Sequence, residues 1–167
     1  MRKIAVIMIL CLALPFLLFG CGKEQSPQEE TGNVMIANPW RSHESLEDAE
    51  NAVGFELGLP ESLGEGFVAE SFRTMNNELL EVNYLKGEMR VCVRKQLGEG
   101  QDISGDYTNY EIIQEAILDA AKISEYSSAE HSSVKVIISY QGYSWSLVAF
   151  NGFGENYNGE FLSEILK

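Results

Sequence analysis

The amino-acid sequence predicts an α+β fold, an antiparallel and mostly meandering sheet with short helices near the two ends of the domain. Three observations predict it. Residues 67–96 hold three strand-like runs separated by the turn signals Asn76-Asn77 and Lys86-Gly87. Residues 134–150 hold two more across Gln141-Gly142. Amphipathic stretches of helical period lie at 45–53 and at the C-terminus.

The chain begins Met1-Arg2-Lys3, followed by an uncharged apolar run of 16 residues from Ile4 to Phe19. A basic start before a short apolar run is the pattern of an export signal. The run falls short of the roughly 20 residues that a permanent transmembrane helix needs. It ends at Leu18-Phe19-Gly20-Cys21, which resembles the lipobox of bacterial lipoproteins: an aliphatic residue three before the cut, a small residue just before it and a cysteine just after. Phe19 is bulkier than usual at a permissive position. The resemblance implies that residues 1–20 are removed as a lipoprotein signal peptide. It implies acyl chains on Cys21, palmitate among them, that hold the chain to the extracytoplasmic face of a membrane. Two or more acyl chains anchor stably, at about 0.8 kcal/mol per buried CH₂. Residues 21–37 then read as the lipidated cysteine and a flexible acidic tether, and 38–167 as a single domain.

Within that domain, Ser45 with Asp48 three residues on is a capping-box-like start. Leu46, Ala49 and Val53 share a helical face, and Gly54 is a C-terminal stop. Phe55, Leu57 and Leu59 alternate as a brief strand ended by Pro60. Strands follow at 67–75, 78–85 and 88–96. In the third, Met89, Val91 and Val93 point toward a core, and Arg90, Cys92 and Arg94 toward water. Residues 97–110 form a long loop. Residues 111–123 stay open between a helix, on the stripe Ile112, Ile113, Ala116, Ile117, Ala120 and Ala121, and two short strands around Asp119. The 134–150 hairpin places Tyr143, Trp145 and Leu147 on one face against Ser144 and Ser146. A glycine-rich stretch, 151–159, leads to a last helix with the stripe Phe161, Leu162, Ile165 and Leu166.

Several motifs, in order, resemble domain of unknown function 4367. They are Asn38-Pro39-Trp40, Ser45-Leu46-Glu47-Asp48-Ala49-Glu50, Gly54-Phe55 with Leu59-Pro60, Gly66-Phe67, Asp102-Ile103-Ser104-Gly105-Asp106-Tyr107 and Gly142-Tyr143-Ser144-Trp145-Ser146. The resemblance spans about residues 38–167. It implies an extracytoplasmic domain of the kind found on lipoproteins and on membrane-anchored regulators similar to anti-sigma factors. It carries no established activity and no catalytic residues, and it tilts 111–123 toward strands. The 151–159 link is longer than usual, and the chain shows no cytoplasmic sigma-binding segment.

Charge narrows the partners. The formal net charge of −13 becomes −15 once Arg2 and Lys3 leave with the signal. That disfavours nucleic acid, which rewards a basic face. With Cys11 in the signal and Cys21 acylated, Cys92 stands alone and no internal disulfide is available. Arg90 and Arg94 beside Cys92 would lower its thiol pKa if it faced water. His43 and His131 are the only histidines and lack metal-ligand spacing. No nucleophile motif is present. Asp102, Asp106, Asn109 and Glu111 are rich in oxygen, but their spacing is not that of an EF-hand, and Asx turns account for them. The expectation is no catalytic residue, no metal and no cofactor.

The leading reading is a non-enzymatic, membrane-tethered binding or sensing module for an envelope protein or glycan. A cell-envelope hydrolase with a carboxylate site and a structural spacer stay open beside it. The expected contact residues are the aromatics of the two long loops, Tyr107 and Tyr110 in 97–110 and Phe153 and Tyr157 in 151–159.

Overall fold

The structure is a computed structural model that describes residues 38–63, 66–128, 134–150 and 157–167, the side chains of 157–160 excepted. The signal, Cys21, the tether, His131 and Phe153 lie outside those residues. The described strands are β1 (Trp40–His43), β2 (Ser62–Leu63), β3 (Phe67–Met75), β4 (Leu79–Lys86), β5 (Met89–Leu97), β6 (Ile112–Leu118), β7 (Ala121–Ser127), β8 (Val134–Tyr140) and β9 (Tyr143–Phe150). The helices are α1 (Leu46–Val53) and α2 (Tyr157–Ile165).

All strand pairs are antiparallel. The sheet runs β1-β3-β4-β5-β9-β8-β7-β6, with β2 on the same edge of β3 as β1. Hairpins join β3 to β5 and β6 to β9 in sequence. The step between these groups breaks the succession: β5 lies beside β9, and the chain crosses to the far edge before β6.

Local chemistry explains most elements. Ser45 caps α1, its hydroxyl accepting from the Asp48 N–H at 3.1 Å, and Gly54 closes the helix at φ 79°. Asn76 and Asn77 both adopt positive φ, and Glu78 N–H donates to the Met75 carbonyl at 3.1 Å. That is the mirror-image turn whose twist matches a hairpin. Residues 111–123 resolve as strands: β6 and β7 fold back at Asp119 and Ala120, φ 48° and 68°.

Segment 55–59 is not a strand. Leu57 and Leu59 are buried, as their alternation suggests, but the backbone bonds go to side chains instead of a neighbouring strand. Leu57 N–H donates to the Glu50 carboxylate at 2.6 Å, and Lys95 Nζ donates to the Glu56 and Leu57 carbonyls. Gly58 at φ 80° breaks the extended run.

One sheet face carries the apolar core. Leu80, Val82 and Tyr84 of β4, Val91 and Val93 of β5, and Trp145 and Leu147 of β9 are buried there with Phe161 and Ile165 of α2. Phe161 meets Phe67 and Tyr84 edge-on at 6.1 and 5.6 Å. Lys95 also points to this face, boxed by Tyr143 and Trp145 at 4.4 Å each and Phe55 at 5.7 Å. Burial pulls its ammonium pKa down, although Glu50 and Glu56 oppose that.

Candidate functional site: an arginine-lined cleft

The opposite face is built by the alternate residues of the same strands. Cross-strand register aligns Arg73, Glu81, Arg94 and Ser146 in one row. Ser71, Asn83, Cys92 and Val148 form the next, and Arg90 and Phe150 sit opposite each other beyond it. Period-two alternation thus gathers polar residues from four strands into one patch.

Glu81 is almost fully buried at its centre. Its Oε1 accepts from Arg73 Nε at 2.9 Å and also from Arg73 Nη2. Its Oε2 accepts from Arg94 Nε at 2.9 Å, with Arg94 Nη2 at 2.8 Å. Burial alone would raise the carboxyl pKa; the two guanidiniums outweigh it and hold Glu81 below its ordinary value. Glu81 is therefore an anion shared by two cations. Trp40 of β1 lies against both, with Arg73 4.7 Å and Arg94 5.2 Å from its ring centre. Arg90 is exposed and stacks on Phe150 at 4.5 Å. Arg73, Glu81, Arg94, Arg90 and Phe150 line a cleft of about 220 Å³, walled on one side by Ser104, Gly105 and Asp106, with Trp40 outside the lining behind the two guanidiniums.

That wall belongs to the segment after β5, and its placement differs from a free loop. Residues 98–110 lie across the polar face and are pinned along their length. Gly98 N–H donates to the Gly142 carbonyl, Gly100 N–H to Ser139 Oγ and Gln101 N–H to Ser144 Oγ, at 2.8–3.0 Å. Lys135 Nζ donates to Asp102 Oδ2 at 3.0 Å, and Arg94 Nη1 to the Ile103 carbonyl at 2.9 Å. Gly105 has φ +62°, and a Cβ there would fall 2.3 Å from Arg94 Nη1. Only glycine lets the wall approach the guanidinium so closely.

The oxygen-rich motif works as Asx turns. Asp102 Oδ1 accepts from Ser104 N–H and Oγ at 3.0 and 2.6 Å, and Asp106 Oδ1 accepts from Thr108 in the same way. Burial would raise both carboxyl pKa values. The Ser104 bonds and Lys135 outweigh it at Asp102, and Thr108 and Tyr110 do so at Asp106, so both lie low. Among the described residues, no group of three or more His, Cys, Asp or Glu is arranged to hold a metal.

Cys92 corrects the sequence expectation. Its face is not open to water, because this region of the sheet is overlaid, and its thiol is 8% exposed. Burial first, then the Glu81 charge, push its pKa up to about 12 despite Arg94 and Arg90. It is a small buried side chain with little thiolate at neutral pH.

The expected contact aromatics divide. Tyr107 is 96% exposed. Tyr110 packs on Tyr126 at 6.2 Å and donates its hydroxyl to Asp106; both rings flank Lys135, at 5.4 and 4.8 Å. Tyr110 thus holds the crossing segment in place. Tyr157 opens α2, with its side chain outside the description, as is Phe153. Sequence reading missed Arg73, Glu81 and Phe150 as parts of one site. The signal was available in the alternation of 89–97, where Arg90 and Arg94 share a face, but their partners come from strands that register alone brings together.

No family model, curated protein or solved structure matches the chain.

Proposed function

We propose that this chain is a lipid-tethered, extracytoplasmic, non-enzymatic binding module, and that its ligand presents an anionic group, carboxylate or phosphate, to the arginine-lined cleft. One observation carries the reading. Three of the four arginines in residues 38–167 converge on a single cleft of a chain whose net charge is −13. Glu81 neutralises one charge of the Arg73–Arg94 pair, and Arg90 stacks on Phe150 and has no ion-pair partner among the described residues. Guanidinium forks match carboxylate and phosphate geometry, and the half-buried Phe150 ring in the cleft lining adds apolar contact to a sugar or side chain.

The reading also draws on the Leu18–Cys21 lipobox pattern and on the likeness of 38–167 to domain of unknown function 4367, which occurs on extracytoplasmic lipoproteins and on membrane-anchored regulators similar to anti-sigma factors. A hydrolase would need a carboxyl poised to donate a proton; Glu81 is held ionised, and Asp106 is engaged by Thr108 and Tyr110. The test has two arms. Fatty-acid labelling of the full chain should vanish in Cys21→Ala. Capture from envelope extract should retain acidic material on the wild type and lose at least about tenfold on Arg90→Ala, the loss of one charge-assisted contact. Undiminished label, or equal capture by the two chains, would contradict the respective arm.

A further inference from the structure

The far edge of the sheet is built unlike the rest. All seven residues of β6 are exposed, on both faces. Four are large and apolar: Ile112, Ile113, Ile117 and Leu118, with Ile117 82% exposed. Among the described residues β6 pairs only with β7, so its outer row of backbone groups is open. Soluble proteins blunt such edges with lysine, proline, bulges or short strands, because an open apolar edge pairs with another strand. β6, Ile-Ile-Gln-Glu-Ala-Ile-Leu, has no lysine, proline or bulge, and Glu115 is its one charged side chain.

That sequence is close to a palindrome about Glu115. We propose that β6 is a self-association edge, pairing antiparallel with β6 of a second copy in a register centred on Glu115. Two-fold pairing of identical antiparallel strands places residues of like parity opposite one another. With Glu115 at the centre, Ile113 faces Ile117 of the second copy on one side of the sheet, and Ile112 faces Leu118 on the other. All four exposed apolar residues acquire apolar partners, counted from both copies. Moving the centre to Gln114 sets Ile113 against Glu115 and leaves Ile117 and Leu118 beyond the strand. Moving it to Ala116 sets Ile117 against Glu115 and leaves Ile112 and Ile113 beyond it.

The central Glu115 pair would repel if bare. Each Glu115 already has a lysine beside it on the neighbouring strand, Lys122 Nζ lying 3.8 Å from Glu115 Oε1. The paired centre therefore holds two acids and two bases. No charge is left uncompensated on the only register that matches the apolar residues. A strand edge alone is a small interface, so the association is expected to be weak in dilute solution and favoured where copies are concentrated. It is independent of the arginine-lined cleft, which lies on β3, β4, β5 and β9.

Cysteine crosslinking of the full chain reads the register directly. Directly opposed residues of an antiparallel pair have Cα atoms about 4.5–5.5 Å apart, within the roughly 4.4–6.8 Å span of a disulfide. Glu115→Cys should form a disulfide dimer under mild oxidation at high protein concentration in detergent. Ile117→Cys, whose own mate in the second copy would sit four residues away, about 13 Å, should crosslink at least tenfold less. Mixing Ile113→Cys chains with Ile117→Cys chains should restore the crosslink. Adding Ile113→Lys and Ile117→Lys to Glu115→Cys should abolish it without lowering the melting temperature. Equal crosslinking at 115 and 117 would overturn the register. Absence of both the Glu115→Cys dimer and the mixed 113–117 dimer, in chains that melt like the wild type, would overturn the association itself.

Discussion

The two faces of one hairpin, β4–β5, are chemically opposite, one buried and the other covered only in part. Toward the helices it presents Leu80, Val82, Tyr84, Val91 and Val93; toward the crossing segment it presents Glu81, Asn83, Cys92 and Arg94. Apolar burial organises the first face without directional demands. The second stays together only because each buried charge has a matched partner: two guanidiniums on Glu81, and the Ile103 carbonyl on Arg94. The comparison teaches that a hidden face need not be an apolar one, and that a polar face kept at this cost in desolvation is a candidate for binding.

The largest effects should come from breaking each face at its centre. Phe161→Ala removes the ring that meets Phe67 and Tyr84 and should cost about 3–5 kcal/mol in chemical denaturation. Glu81→Ala leaves the half-buried Arg94 beside Arg73 without their shared counter-charge and should cost about 2–3 kcal/mol. The triple change Arg73→Met, Glu81→Leu and Arg94→Met sharpens the contrast. Removing the whole network should restore most of that loss while abolishing ligand capture, because the charges serve recognition more than stability. A triple variant as unstable as Glu81→Ala would show that the network is needed for the fold.

The pH response comes next. Glu81 has a folded pKa below its unfolded value, so its stabilising contribution is fully present above the unfolded value of about 4.3 and is lost as pH falls through the lowered folded value. Asp102 and Asp106 act in the same direction. Melting temperature should fall as acid is added below about pH 5, and Glu81→Gln should flatten that fall. A steeper acid dependence in the variant would contradict the assignment.

Smaller effects test how closely the polar face is covered. Cys92, with its thiol near 12, should resist alkylation at pH 8 in the folded chain and react after denaturation, as read by peptide mapping. Ser146 is buried in the row beside Arg94, and its hydroxyl has no partner among the described residues. Ser146→Ala should therefore stabilise the chain by up to about 1 kcal/mol, seen as a small rise in denaturation midpoint.

Much of this architecture was legible because its determinants are local. The Ser45 cap, the Gly54 stop, the paired asparagines and the Gln141-Gly142 turn each act within a few residues. Trp145 and Leu147 showed their core side by alternation alone. The β6–β7 hairpin was ambiguous for a physical reason: an edge strand apolar on both faces puts Ile112, Ile113, Ala116 and Ile117 at spacings that also suit a helix. What sequence could not show is long-range. Insertion of β9 between β5 and β8, the carbonyls of 56–57 meeting Lys95, and the 98–110 crossing over the polar face all join residues far apart in sequence. The misplaced solvent exposure of Cys92 follows from that crossing segment, and so does the cleft, since Arg73, Glu81 and Arg94 become one site only through register.

Trp40 allows the cleft to be tested directly, because its ring lies against Arg73 and Arg94, whereas Trp145 is buried on the other face. The measurement is tryptophan fluorescence of the full chain in detergent, titrated with inorganic phosphate and with citrate at constant ionic strength. A saturable change is expected, weakened at least tenfold in Arg90→Ala and unchanged in the control Val68→Ala, whose exposed side chain lies outside the cleft. No saturable response to either anion, or one that Arg90→Ala leaves intact, would contradict the cleft as the binding site.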